Sequence, residues 1–218
     1  MSQIHIFGPQ FITFVRSVQL CCEEKGIPYT VGTCVSGEDI AFRGTQHLEW
    51  HPFGKAPVLL HGERHLYETA TICRYLDAMF EGPALQPEDP WQRAQVDQWA
   101  ATLSLYIDQV LVRDYLLEFA FPKGEGDTVR MERIKEVEPE VKRMLALLEA
   151  QLEGSEYLVT DAFTIADAIA APMIDYVFNL PVAASMTAEA PLLKAYLQRL
   201  RERRSAKGVL IDAKGAGD

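Results

Sequence analysis

At Glu81-Gly82-Pro83-Ala84-Leu85-Gln86-Pro87-Glu88-Asp89-Pro90 the chain changes its hydrophobic period and does not change back. Three prolines and a glycine break any helix or strand there, since proline has no amide proton and fixes φ while glycine has no side chain to pack. Ahead of the break, short β-branched and aromatic runs alternate with stretches of helical spacing. Beyond it, apolar residues recur only at helical intervals, over about 91–119, 128–152, 164–178 and 191–203. The break is therefore expected to divide the chain into an α/β domain over 1–82, a linker over 83–90 and an all-helical domain over 91–218.

Within the first part, Ile4, Ile6 and Phe7 ahead of Gly8-Pro9 predict a strand. Val15, Val18, Leu20 and Cys22 predict a helix over 14–25 that Gly26 ends. Tyr29 to Val35 is again β-branched and aromatic, and 37–50 reads as a weak helix or loop. Pro57-Val58-Leu59-Leu60, the turn His61-Gly62-Glu63-Arg64 and His65-Leu66-Tyr67 predict a hairpin, with a third helix over 68–80. The order βαβ-ββα requires a small mixed sheet flanked by helices, because a helical crossover leaves the first pair parallel and a tight turn leaves the second antiparallel. In the helical part, Thr164-Ile165-Ala166-Asp167 after Phe163 predicts a helix start: Thr164 caps, Asp167 reaches back to the cap amide and Phe163 staples.

Charge and small motifs exclude several function classes. Acidic residues number 31 against 21 basic ones, a formal charge of −10, the wrong sign for a nucleic-acid or anionic-membrane partner. No apolar run approaches the ~20 residues that span a bilayer. Met1-Ser2-Gln3-Ile4-His5 lacks the basic start and apolar stretch of a secretory signal, so a cytoplasmic protein is expected. Cys21, Cys22, Cys34 and Cys73 form neither a C-x-x-C pair nor a disulfide framework, and are expected as reduced core residues. His47 with His51, and His61 with His65, are pairs lacking a third ligand, so no metal is expected. Arg199, Arg201, Arg203 and Arg204 read as one solvated helix end, and 212–218 as a small, polar, mobile end.

Four stretches stand out in order: Phe7-Gly8 through Thr13-Phe14-Val15-Arg16 to Glu23-Glu24-Lys25-Gly26-Ile27-Pro28-Tyr29, then His51-Pro52-Phe53-Gly54-Lys55-Ala56-Pro57-Val58-Leu59, then Leu66-Tyr67-Glu68-Thr69-Ala70-Thr71-Ile72, and last Phe163-Thr164-Ile165-Ala166-Asp167. Through them the chain resembles the cytosolic glutathione transferases over nearly its whole length. Their order and spacing together are specific. The resemblance implies a thioredoxin-like N-terminal domain followed by a helical bundle, glutathione as co-substrate without a metal, and a homodimer.

The residues admit a tripeptide site of that kind. A peptide can pair with an exposed strand edge, and the residue before a proline is biased toward the extended conformation that such pairing needs. Ala56 is that residue, and the resemblance implies a cis Ala56-Pro57 bond whose alanine main chain pairs with the cysteinyl unit; the alternative is an ordinary strand-entry proline. Glu68-Thr69 opens the third helix, where free amides and the dipole favour an anion. The resemblance implies Glu68 at the γ-glutamyl ammonium and Thr69 at its carboxylate; the alternative is a plain capping pair. Lys55, and Arg43 on the second helix, can take the glycyl carboxylate by charge-assisted bonds or stand as solvated cations.

Conjugation requires a thiolate, and a free thiol with a pKa of about 8.5 is only a few per cent ionised at neutral pH. Donors at the start of the first helix are expected to supply the stabilisation. The position that holds an activating serine in the serine-type families is Ile12 here, which cannot donate, and the first strand offers no tyrosine. Thr13 is the nearest hydroxyl, at the expected helix start, where it can either donate to the thiolate or cap the helix. Backbone amides at Thr13, Phe14 and Arg16 are the other candidates. An apolar pocket for the electrophile is expected between the domains, walled by Phe11, Ile12 and Phe14 with Tyr106 and Val110 facing them.

The reading is a dimeric glutathione transferase, of a serine-type-like bacterial branch with Ile12 in place of the serine, acting on a small hydrophobic electrophile. Two alternatives stay open: a non-catalytic glutathione-binding or interaction protein of the same fold, and a glutathione-dependent peroxidase or disulfide reductase. Arg74 and Asp97 are expected as ion partners across the dimer.

Overall fold

A four-stranded mixed sheet, ordered β2-β1-β5-β6, is built from the first part of the chain in this computed structural model, which describes residues 3–210. β1 (Ile4–Phe7) runs parallel to β2 (Tyr29–Gly32) and antiparallel to β5 (Val58–His61). β6 (Arg64–Tyr67) pairs with β5 around the Gly62-Glu63 turn. β1 is buried along its whole length rather than alternating, because both of its faces are covered. His5 is buried with it and satisfies its ring against Thr30 Oγ1 at 2.8 Å and Gly32 O at 3.1 Å, while burial holds its pKa below the ordinary imidazole value.

α1 (Thr13–Lys25) makes the crossover from β1 to β2, and α3 (Thr69–Met79) packs beside it. The stretch expected as one strand over 29–35 breaks after Gly32, and its end, β3 (Cys34–Val35), pairs with β4 (Glu38–Asp39) in a two-stranded ribbon; the rest of 37–50, expected as a weak helix or loop, is loop followed by α2 (Thr45–Trp50). Arg43 therefore precedes α2 instead of lying on it, in a turn with φ 64°. Cys34, expected in the core, is exposed because the ribbon stands apart from the main sheet. Cys21, Cys22 and Cys73 are buried as expected. A hydrogen bond to Cys73 together with burial pushes the Cys21 thiol well up, so it is no nucleophile.

Past the break the chain is helical. Asp89 caps α4 (Pro90–Thr102) by accepting from Gln92 N at 2.9 Å, with Pro90 in the first helical position. The single helix expected over 91–119 then widens: Leu103–Leu116 pairs i→i+5, and α geometry resumes in α5 (Leu117–Ala120). α6 (Met131–Gln151), α7 (Ile165–Phe178), α8 (Ala184–Ala188) and α9 (Pro191–Glu202) follow. Residues Ile165 to Asp175 of α7 are buried without interruption, since the helix packs against α1, α4, α9 and Leu103–Leu116 at once. Asp167 anchors its start, accepting from Thr164 N and Oγ1 at 2.8 Å each, Leu158 N at 3.0 Å and Tyr196 OH at 2.8 Å. Burial pushes this carboxyl up while those four donors draw it back.

The two parts of the chain are bonded to one another. Lys25 Nζ donates to Asp77 Oδ1 at 3.0 Å and Pro83 O at 3.1 Å, and Asp77 Oδ1 also accepts from Leu85 N at 2.9 Å. Gly82, at φ 119°, lets the chain pass α1: a Cβ there would come within 2.8 Å of Lys25 O. The arginines closing α9 do not form a solvated end. Arg203 Nε and Nη2 donate to Glu24 at 2.6 and 2.7 Å with the guanidinium 4.8 Å over the Phe163 ring, and Ser205 donates to the same carboxylate. Arg201 donates to the buried Asp175 at 2.7 Å. The planar guanidinium fork matches a carboxylate, and α9 ends where α1 and α7 present theirs. Arg74 Nη1 and Asp97 Oδ1, expected as ion partners across a dimer, pair with each other at 2.7 Å within one chain and join α3 to α4. Among the described residues no single helix is long and apolar enough to cross a membrane. The 212–218 segment lies outside them.

Candidate functional site

The loop from β1 to α1 and the turn entering β5 come together at one end of the sheet. Gly8, at φ 143°, makes the approach possible: a Cβ there would stand 2.7 Å from Ala56 Cβ and 2.9 Å from Val15 Cγ2. Ala56-Pro57 is cis. Because Val58 lies opposite Tyr67 in the β5–β6 register, Pro57 falls beside Glu68. Glu68 is exposed at the head of α3 with φ 70°, and Thr69 is buried as its first residue. Ala56, Pro57, Glu68, Thr69 and the start of α1 thus share one edge of the molecule.

His47 ties the two candidate cations to that edge. Arg43 N donates to its Nδ1 at 2.8 Å, which leaves the proton on Nε2 to donate to Lys55 O at 2.9 Å. Arg43 Nε reaches Gly54 O at 3.4 Å. Both cationic side chains remain exposed while their backbones are fixed through one buried ring. His51, buried beside them, stacks on Tyr67 with ring centroids 4.5 Å apart. Its burial lowers its pKa, against the pull of the Glu68 carboxylate, so it is neutral at pH 7.

At the start of α1 the structure corrects one expectation. Thr13 is the first helical residue, buried, and Ile12 occupies the cap position with extended φ and ψ and no side-chain cap. Thr13 therefore does not cap. An aliphatic cap offers nothing to the first helical amides, those of Thr13, Phe14 and Val15, which have no partner earlier in the helix. The first turn of α1 also carries no acidic residue, so its electrostatic field is that of a site for an anion.

Of the residues expected to wall a pocket, Phe11 is exposed and meets Phe121, just past α5, at 6.1 Å between ring centroids. Ile12, Phe14 and Val110 are half-buried against the main core, and Tyr106 stands 66 % exposed on the widened helix. That helix also holds the buried Asp108. Burial raises its carboxyl, while Arg113, at 2.6 Å, and Lys55 draw it down. Phe121 and Asp108 carry no signal in the sequence, and His47 and His51 were legible there only as a pair lacking a third metal ligand, since the contacts of all four depend on how segments pack rather than on local pattern. A separate hollow of about 670 Å³ between the end of α7 and α9, bordered by Phe178, Leu180, Pro191 and Leu197, contains none of these side chains.

Residues 11–84 match the family described as the N-terminal domain of glutathione S-transferase, and 112–204 match its C-terminal domain. Glutathione S-transferase F10 of Arabidopsis thaliana is 30% identical over 97% of this chain and 93% of its own. The probable glutathione S-transferase GSTF1 of Oryza sativa subsp. japonica is 28% identical over 95% of each. Among solved structures, the theta class glutathione S-transferase of Xanthomonas axonopodis pv. citri, with glutathione bound, superposes with a TM-score of 0.84 at 28% identity, covering 97% of this chain and 99% of that one. Glutathione transferase F7 of Populus trichocarpa shares the fold, with a TM-score of 0.81 at 23% identity over 94% and 97%.

Proposed function

The chain belongs to the glutathione S-transferase family and is a transferase enzyme of that kind, and on that premise we propose how its own residues use glutathione. The main chain of Ala56, ahead of Pro57, pairs with the cysteinyl unit. Glu68 takes the γ-glutamyl ammonium and Thr69 its carboxylate, while Lys55 and Arg43 take the glycyl carboxylate. The sulfur then lies at the start of α1. Thr13 Oγ1 and the amides of Thr13 and Phe14 stabilise the thiolate, whose proton passes to water. The thiolate attacks the electrophilic carbon of a small hydrophobic molecule held against Phe11, Ile12, Phe14, Tyr106 and Val110, and the leaving group departs with the bonding pair.

What carries this reading is the uncapped start of α1 beside Ala56-Pro57, an anion-favouring end with no acidic side chain. In the same reading, Ile12 stands where a serine-type-like bacterial branch has its hydroxyl, 1–82 and 91–218 are the two domains joined by 83–90, and the working form is a cytoplasmic homodimer. Titrating thiolate absorbance of bound glutathione tests the central step: a thiolate well populated at pH 7 supports it, and a thiol that titrates as in free glutathione refutes it. Turnover of a chloro-nitro-arene against that of a hydroperoxide separates conjugation from peroxide reduction.

A further inference from the structure

Two carbonyl oxygens of the loop between β1 and α1 are held from outside the loop. Arg16 Nε donates to Gln10 O at 3.2 Å, and Tyr176 OH donates to Phe11 O at 2.8 Å. The guanidinium of Arg16 lies 4.7 Å over the Tyr176 ring, so the two anchors brace each other. Arg16 is in the first turns of α1, whereas Tyr176 comes from α7, 165 residues beyond the carbonyl it holds. The loop adds one bond of its own, Ile12 N to Pro9 O at 3.1 Å.

The Tyr176 ring packs against the main core, but its hydroxyl reaches beyond that core to the loop. Gln10 and Phe11 are exposed, and the loop contributes little to the interior. Partial burial raises the pKa of the Tyr176 hydroxyl, while the neighbouring Arg16 cation draws it down. The Phe11 carbonyl shares a rigid peptide plane with the Ile12 amide, so fixing the carbonyl fixes the direction in which α1 begins. Immediately after that plane come the Thr13 and Phe14 amides.

We propose that Arg16 and Tyr176 are positioning residues for thiol activation: by holding the Gln10–Ile12 backbone they aim the amides that open α1 at the sulfur of glutathione. Placement of the main chain then does the work for which Ile12 has no side-chain donor. Neither residue touches the sulfur. The inference rests on the proposed function above. It differs from a role in shaping the pocket, since Phe11 also meets Phe121, and that contact acts on the electrophile and not on the sulfur.

Tyr176→Phe removes the hydroxyl and keeps the ring beneath Arg16. The expected result, at constant fold by circular dichroism, is a rise of about one unit in the bound thiol's pKa. With it comes a fall of up to about tenfold in kcat at neutral pH, with the KM for the electrophile changed less than about twofold. Arg16→Lys, which keeps the charge but loses the directed Nε donor, is expected to shift the same two readouts in the same direction. Adding Ile12→Ser to Tyr176→Phe supplies a side-chain donor and is expected to restore the thiolate. A wild type that forms thiolate while both single variants keep its titration curve overturns the inference alone. So does a loss seen only in electrophile KM, or only in thermal stability. A wild type that forms no thiolate at pH 7 overturns the functional reading, and the inference with it.

Discussion

Arg203 grips Glu24 with two arms of its guanidinium, at 2.6 and 2.7 Å, although 179 residues separate them. The pair fastens the end of α9 to α1. Glu24→Ala leaves the guanidinium without its partner, and the expected loss is about 2–4 kcal/mol. That is below the range for a wholly buried pair because the Arg203 side chain keeps 29% of its exposure. Urea midpoints of the two proteins measure it, and a change under about 0.5 kcal/mol would mean that solvent already satisfies both groups.

Acid should destabilise the fold from near neutrality downward. His5 and His51 are buried, and in both burial depresses the pKa below the ordinary imidazole value. Below about pH 6.5 the unfolded chain therefore binds protons that the folded chain refuses, and stability falls as pH falls. Urea midpoints at pH 7.5 and 5.5 report the slope, and His5→Asn is expected to flatten it.

Replacing Thr69 by alanine should weaken glutathione binding by about 1–2 kcal/mol, the worth of a hydrogen bond to a charged group. Calorimetry on the two proteins gives the difference directly. Equal affinities would remove Thr69 from the γ-glutamyl contact and leave it as the buried first residue of α3.

Ile12→Ser has two separable consequences. At a cap position with φ −69° and ψ 127°, a serine oxygen accepts from an early amide of α1, a gain of about 0.5–1 kcal/mol that offsets part of the packing half-buried Ile12 gives up, so the net change in stability should stay within about 1 kcal/mol. Its hydroxyl also gives the sulfur a donor, so the bound thiol's pKa should fall. Thr13→Ala should move that pKa the other way by up to ~1 unit if the threonine donates. Three superposed titration curves would exclude both side chains.

Arg74→Ala should leave the assembly intact, because Asp97 is paired within the same chain. Light scattering is expected to give twice the 24.5 kDa chain mass for wild type and variant alike. Both side chains are more than a third exposed, so the stability change should be within about 1 kcal/mol. A variant reduced to the single-chain mass would put the arginine back at the interface.

What the sequence disclosed was whatever its local pattern determines. The change of period predicted a mixed sheet followed by helices, and Thr164 with Asp167 marked the start of α7, because caps and periodicity are settled within a few residues. Glu24 with Arg203, Asp175 with Arg201 and Phe11 with Phe121 were not legible, since each pairing depends on how distant helices cross. The arginines of α9 looked solvated for that reason. Arg43 was misplaced onto α2 because a positive φ in a non-glycine residue leaves no mark in composition. The ribbon of β3 and β4 was too short to give a period at all.

The unbroken burial of α7 bears on how such a protein can be cut and recombined. Its apolar surface is shared among α1 and the helices around it, so neither part of the chain owns a complete interior. A fragment ending near residue 82 would carry the α7-facing side of α1 into water, and the remainder would bare the matching side of α7. Chimaeras between relatives should therefore fold when α1 and α7 are inherited from one parent. When they come from two, they should fail, even where the seam is cut cleanly between Gly82 and Pro90.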